Sequence, residues 1–452
     1  MSPMRPNVLL LCLSVIAFAP GGQAQPQWKA GVAKVAITPT ESIWMAGYAS
    51  RTKPSEGVQT DLYLKALALD DGSGKPAVFV TSDLIGFRKK VADAIAEGCE
   101  KQYGLTRDRL VLNSSHTHSG PIVGDFDPPA GYEQQREVVR RYNNGLIEKA
   151  VVTIGVAIKN IAPVRLEFAQ GFAGFAVNRR RDHPGTRGLP GVVDHDLPVL
   201  AVRNPDGALL AILFGYACHN TTLGAYQINA DYAGYAQRAL EKQYPGATAL
   251  FVLGCAADAN PLPRYQGTDP ALAHYSLELV EMYGRILAAS TDLTLHGKMK
   301  RIEGPLRTAF ERVDVAFQTP PSREELLSWS KGKDADRRAE ADRMLKALER
   351  NGKLPDHYPY PVEVWHFGKT LKLIALGGEV VADYSLRLKA QYGWEDTWVA
   401  GYSNDVFAYI PSVRVLKEGG YETWGGDGGP FHPSIEEIIG AKVQDLVKQT
   451  AR

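Results

Sequence analysis

The chain has 452 residues, 44% of them hydrophobic and 22% charged, with 44 glycines and 28 prolines. That composition excludes a disordered or fibrous protein, and the length is ample for a large core without disulfide staples. Lys and Arg number 51 against 50 Asp and Glu, a net charge of +1 with no basic block or stripe, which argues against a nucleic-acid partner.

The first 24 residues carry Arg5, an apolar run from Val8 to Ala19, and a small-x-small site at Gly22-Gln23-Ala24. The run is too short for a membrane span and reads as a secretory signal. The mature protein is therefore expected to be secreted or periplasmic, and no later stretch is apolar enough to cross a bilayer. Three cysteines follow the signal, Cys99, Cys218 and Cys255. An odd count leaves at least one free thiol. Cys99 lies on the apolar side of a helical pattern, and the spacing leaves a pairing of Cys218 with Cys255 open.

Turn residues at Asp70–Gly74 and Asn204–Gly207 separate apolar runs and predict two hairpins, 64–69 with 77–81 and 197–202 with 208–216. Helical periodicity appears at 88–103, 134–158, 232–244, 270–289, 322–351 and 434–449. Ser434 followed by Glu437 predicts a capping box for the last. Residues 322–351 are highly charged and lack Val, Ile and Thr, which reads as a solvated helical hairpin inserted in the domain. No internal repeat is evident. The expected architecture is one large mixed α/β catalytic domain over 25–452, with a metal site at the carboxyl ends of its strands.

Five apolar runs each end in small residues and one or two chemical groups. They lead into Ser115-His116-Thr117-His118, Cys218-His219-Asn220, Gly254–Pro261 with Asp258, Gly377-Gly378-Glu379, and Gly401–Asp405. Ligands in α/β sheets bind beyond the carboxyl ends of strands, so the five ends point to one shared site. In an extended segment His116 and His118 face the same way. They read as two metal ligands, as a ligand beside a proton carrier, or as a hydrogen-bonded structural pair. His219 and Glu379 add to the metal reading, since a catalytic zinc needs about three N or O ligands and an open position. His116, His219 and Glu379 meet that need.

Together these segments resemble the neutral (non-lysosomal) ceramidase family. The likeness is carried by Ala30–Pro39, Ser115–Pro121, Asn178-Arg179, Cys218–Thr221, Gly378-Glu379, and Asn404 through Tyr409 to Tyr421-Glu422. It covers most of residues 28–425 in consistent order. The family's enzymes are zinc amidases that release fatty acid from N-acyl-sphingosine. The resemblance implies one Zn²⁺ per chain on His116, His219, Glu379 and Tyr409, with His118, Arg179 and Tyr421 as the family's other site residues. Arg179 within Asn178–Asp182 also reads as a surface cation, and both tyrosines as packing aromatics. The family's ceramidases carry a serine where Ala257 or Asp258 stands here, and neither residue supplies that hydroxyl. They also carry a C-terminal β-sandwich domain, expected to be missing here.

These expectations assemble into a hydrolase of an amide or an ester, acting on a small-molecule or lipid substrate with transient membrane-surface contact. A metal-bound hydroxide attacks the carbonyl, His118 or Tyr421 stabilises the oxyanion, His118 or Asp258 passes a proton to the leaving amine, and Arg179 holds a polar or anionic part of the substrate. Two alternatives stand beside this. One redirects the scaffold to a phosphoester or glycan, and the other makes it a binding module without catalysis. Oligomeric state leaves no mark on the sequence.

Overall fold

The computed structural model describes residues 28–182, 191–263, 273–333 and 335–451; the expected signal at 1–24 lies outside them. Three sheets make the body. In the first, the strands run in the order Leu110–Ser114, Ala77–Ser82, Tyr63–Asp70, Lys29–Ala36, Ala162–Pro163. The second runs Thr248–Leu253, Leu209–Tyr216, Asp196–Arg203, Arg165–Phe172, Lys300–Arg301, and the third Thr397–Ala400, Leu371–Leu376, His357–Phe367, Leu306–Ala316. Both hairpins expected from turn chemistry are present as antiparallel pairs.

One plan recurs in all three sheets. Each opens with an antiparallel run ending in a hairpin, crosses over through a helix, and adds one parallel strand at the sheet edge. The crossover helices are Lys89–Tyr103, Asp231–Gln243 and Ala382–Tyr392. This topological repetition leaves no trace as a sequence repeat, because each copy needs only the same pattern of apolar and turn residues. The parallel edge strands Leu110–Ser114, Thr248–Leu253 and Thr397–Ala400 are buried at every position, so they read as continuous apolar runs rather than alternating ones. One hydrophobic cluster draws on all three sheets, including Val111, Phe79, Val252, Leu213, Trp365 and Trp398.

The three edge strands meet one another. Asn113 bridges to Ser403, and Gly254 to Ala400. The fully buried Asn113 amide donates to the Gly401 carbonyl (2.8 Å) and Ser403 Oγ (3.1 Å), and accepts from the Leu253 N–H (2.9 Å). Asn404, at φ +66°, closes the junction from the other side through both the N–H and the carbonyl of Leu112. The strand ends that carry the candidate residues are thus brought to one place by side-chain amides, which satisfy backbone groups where no ladder does.

Some local expectations are corrected. The helix expected at 270–289 is described from Ala273 and runs on to His296. The structure adds helices at Ala382–Tyr392 and Val413–Glu418, which are not among the segments of helical periodicity. Ser434 forms no capping box. Its hydroxyl is engaged by His432 Nδ1, and Glu437 pairs with Arg387 instead. A complete capping box stands at Ser322 and Glu325, opening the hairpin formed by Arg323–Trp329 and Ala335–Asn351. That hairpin closes on its own small core of Leu326, Ala341 and Met344. No helix among the described residues is long and apolar enough to cross a membrane.

Candidate metal centre

His116 follows the first edge strand in a left-handed turn, φ +60°, rather than in extended backbone. The turn, not strand alternation, is what brings its ring to 4.9 Å from that of His118. His116 Nδ1 faces the Ile85 carbonyl at 2.5 Å. His219 follows the Leu209–Tyr216 strand, and its Nδ1 faces the Ala256 carbonyl at 2.7 Å. A carbonyl only accepts, so each Nδ1 carries the proton and each Nε2 presents a lone pair. Both lone pairs point at one atom: Glu379 Oε2 lies 3.2 Å from His116 Nε2 and 3.3 Å from His219 Nε2.

Three acceptors facing one another repel unless a cation or a proton lies between them. Burial holds the His219 pKa down to about 4, so that ring is neutral near neutral pH. The chemistry of the donors is therefore that of a divalent N/O site, with each imidazole fixed by a carbonyl behind it. His118 completes a group of three buried histidines whose ligand atoms lie within 4.8 Å of one another. Its two ring nitrogens have no hydrogen-bond partner among the described residues, and burial keeps the ring neutral. Buried polar atoms are almost always paired, so His118 is left available to an incoming group.

Beside this cluster lies a second one. Glu379 and Tyr409 are register partners in a short parallel pair, Glu379–Val380 with Tyr409–Ile410. Burial raises the Tyr409 phenol well above its ordinary range, with Glu379 adding to the rise. Arg179 Nη2 donates to the Tyr409 hydroxyl at 3.3 Å. The Tyr421 ring stands edge-on to Tyr409 at 5.2 Å and remains 44% exposed. Arg179 is thus built into the site and is not the free surface cation its neighbours suggested.

Asp258 takes a different position. Its Oδ1 accepts from the Ala382 N–H (3.0 Å) at the start of a helix, and its Oδ2 from Asn178 Nδ2 (2.9 Å). Its carbonyl accepts from the Arg179 N–H at 2.8 Å. Burial raises its carboxyl pKa to about 6. The neighbouring Ala257 is buried, with its N–H on the Val380 carbonyl. Cys99, Cys218 and Cys255 are buried and form no disulfide with one another.

Several site residues escaped the sequence. The Tyr402 ring packs 4.6 Å from that of His116, and its hydroxyl has no partner among the described residues. Tyr48 stands edge-on to His118 at 4.8 Å. Gly47 has φ +99°, and a Cβ there would meet His118 Cγ at 2.5 Å. Only the position of Tyr402 after a strand could have flagged any of them. Gly47→Ala is expected to displace the His118 ring and lower kcat by about 10²-fold, as small misplacements do, with bound metal unchanged. A kcat within about two-fold of the parent would remove Gly47 from any positioning role.

Fold and site together define a mixed α/β protein with a candidate mononuclear metal centre at the meeting point of three sheets. The family profile described as "Neutral/alkaline non-lysosomal ceramidase, N-terminal" matches residues 28–261. Among curated relatives, the neutral ceramidase of Drosophila melanogaster is 22% identical over 244 residues, 49% of this chain and 33% of that protein. Neutral ceramidase A of Dictyostelium discoideum is 25% identical over 220 residues, 46% of this chain and 30% of the relative. The matched region thus spans about a third of these relatives' length. The crystal structure of neutral ceramidase from Pseudomonas aeruginosa superposes with a TM-score of 0.73 at 18% identity, over 93% of this chain and 74% of that one, and shows the shared fold. The chain belongs to the neutral/alkaline non-lysosomal ceramidase family.

Proposed function

We propose that the chain is an exported, zinc-dependent hydrolase of an N-acyl lipid amide, of which N-acyl-sphingosine is the first candidate. The observation that carries this reading is the pair of Nε2 lone pairs, on His116 and His219, directed at the Glu379 carboxylate. His116, His219, Glu379 and Tyr409 would hold the ion, which supplies Lewis acidity and a water acidic enough to ionise near neutral pH. Export rests on the segment 1–24, and the purified mature protein should begin at Gln25.

The chain's own groups supply the rest. Tyr421, edge-on to Tyr409 and partly exposed, donates to the carbonyl oxygen as it gains charge. His118, neutral and unbonded, takes a proton and delivers it to the departing nitrogen. Arg179 keeps the Tyr409 phenol oriented and its own charge near the reacting carbonyl. Asp258 is better placed to hold the Arg179 backbone and the 382–392 helix than to carry protons, since both its oxygens already accept. The apolar, buried Ala257 favours a substrate whose head group is not gripped by a hydroxyl at that point.

The test is bound metal per chain, followed by a panel of long- and short-chain N-acyl amides, esters and phosphoesters with and without chelator. About one zinc per chain and amide turnover abolished by chelation are expected. Turnover confined to phosphoesters or glycans would redirect the scaffold. Absence of metal, with no uptake from added zinc, would make a binding module of it.

A further inference from the structure

Tyr421 and Glu422 sit in the loop 419–429, in which six of eleven residues are glycine. Gly419, Gly420, Gly426 and Gly429 take positive φ. Glycine backbone loses the most freedom on ordering, so this loop cannot fix a side chain by its own stiffness. Contacts from two sides order it instead.

On the inner side stands Glu422, 3% exposed. Its Oε1 accepts from Arg179 Nε at 2.7 Å and its Oε2 from Arg180 Nη1 at 2.5 Å. Arg180 then reaches Glu418 Oε2 (3.0 Å) and the Gly419 carbonyl (2.8 Å). On the outer side lies the charged hairpin 323–351. Its Arg343 guanidinium sits 5.2 Å from the Trp424 ring, and its Arg350 pairs with Asp427 at 3.0 Å. Met344 lies so close to Gly429 that a Cβ there would meet its Cε at 3.0 Å. The Trp424 ring in turn packs against that of Tyr421 at 4.6 Å, tilted by 54°.

We propose that Glu422 is a positioning residue that aims the Arg179 guanidinium at Tyr409 and the metal centre, and that the 323–351 hairpin clamps the loop carrying it. A guanidinium is planar, and two partners on different nitrogens fix its plane. Glu422 takes Nε and Tyr409 takes Nη2, so Arg179 has one orientation. Glu422 also bridges two adjacent cations, Arg179 and Arg180, and charge-assisted bonds of this kind are the strong ones. The hairpin, which composition alone marks as a solvated excursion, thereby reaches the chemistry through Trp424 and Tyr421.

The activity arm of the test rests on the hydrolase reading above; the exchange arm does not. Glu422→Gln, Glu422→Asp and Arg343→Ala are compared with the parent as metal-loaded full chains. Peptide-resolved hydrogen exchange is followed over 176–181 and 419–429, and kcat and KM are measured on a neutral N-acyl amide. Glu422→Gln is expected to speed exchange about ten-fold in both segments and to lower kcat about 30-fold, with KM within about three-fold and metal content unchanged. Glu422→Asp, which keeps the charge, should recover part of kcat. Arg343→Ala should speed exchange in 419–429 alone and lower kcat about three-fold. Unchanged kcat in Glu422→Gln, with or without faster exchange, overturns the proposal, and so does loss of its metal. If the parent cleaves no amide, the hydrolase reading falls, and unchanged exchange in Glu422→Gln then overturns the clamp separately.

Discussion

His219→Ala is expected to strip the chain of its metal and to lower kcat/KM by more than about 10³-fold, the scale of a lost metal-activated nucleophile. The His219 ring is fully buried, with Nδ1 on the Ala256 carbonyl and Nε2 facing Glu379. Alanine removes one of the two imidazole lone pairs and leaves Glu379 facing His116 alone. Truncation also opens a cavity, so a loss of metal by itself would not separate ligation from unfolding. Glu379→Gln separates them. It keeps the side-chain volume, and its amide can donate to a histidine lone pair. The metal-free variant should therefore melt no lower than the metal-free parent while failing to retain zinc against a chelator. Elemental analysis and thermal melts of both forms decide. Full metal and full turnover in either variant would remove that residue from the ligand set.

The second large effect is expected far from any ligand. Asn113→Ala should cost about 3–5 kcal/mol in denaturant unfolding, at the top of the range for one substitution. The change orphans the fully buried Leu253 N–H, at about 1–3 kcal/mol, removes a bond each from the Gly401 carbonyl and Ser403 Oγ, which keep their bond to each other, and leaves a small cavity. Asn113→Asp should do no better, because its second oxygen would face the Gly401 carbonyl. Retention of added metal should fall as well, although Asn113 touches no candidate ligand, because the strand ends bearing His116, Asp258 and Tyr402 meet through this amide. A loss under about 1 kcal/mol would show that the three sheets hold their junction without it.

The candidate site was legible in the sequence to an unusual depth because its markers are local. A buried strand is an apolar run, and the chemistry at its end sits within five residues of it. His116, His219 and Glu379 could be picked out on that pattern alone, and the family likeness supplied Arg179, Tyr409 and Tyr421. The capping box expected at Ser434 failed for the opposite reason: Arg387 and His432, remote or outside the motif, claimed its two side chains. Asp258 reads in the sequence as a candidate proton carrier; in the fold both its oxygens accept, from the Ala382 N–H and from Asn178.

By itself, then, the sequence determined the hairpins, most of the helices, the five strand ends and the residue types of the candidate metal centre, all of which depend on period, turn chemistry and short spacings. Tertiary structure alone decided that the strands belong to three sheets built on one repeated plan. It also set which nitrogen of each histidine faces Glu379, brought Gly47 against His118, and put Glu422 behind Arg179. Each of these rests on contacts between residues far apart in the chain, such as Asn113 with Gly401 or Arg179 with Glu422. A polar side chain buried at such a junction is indistinguishable, in the linear sequence, from one left in water.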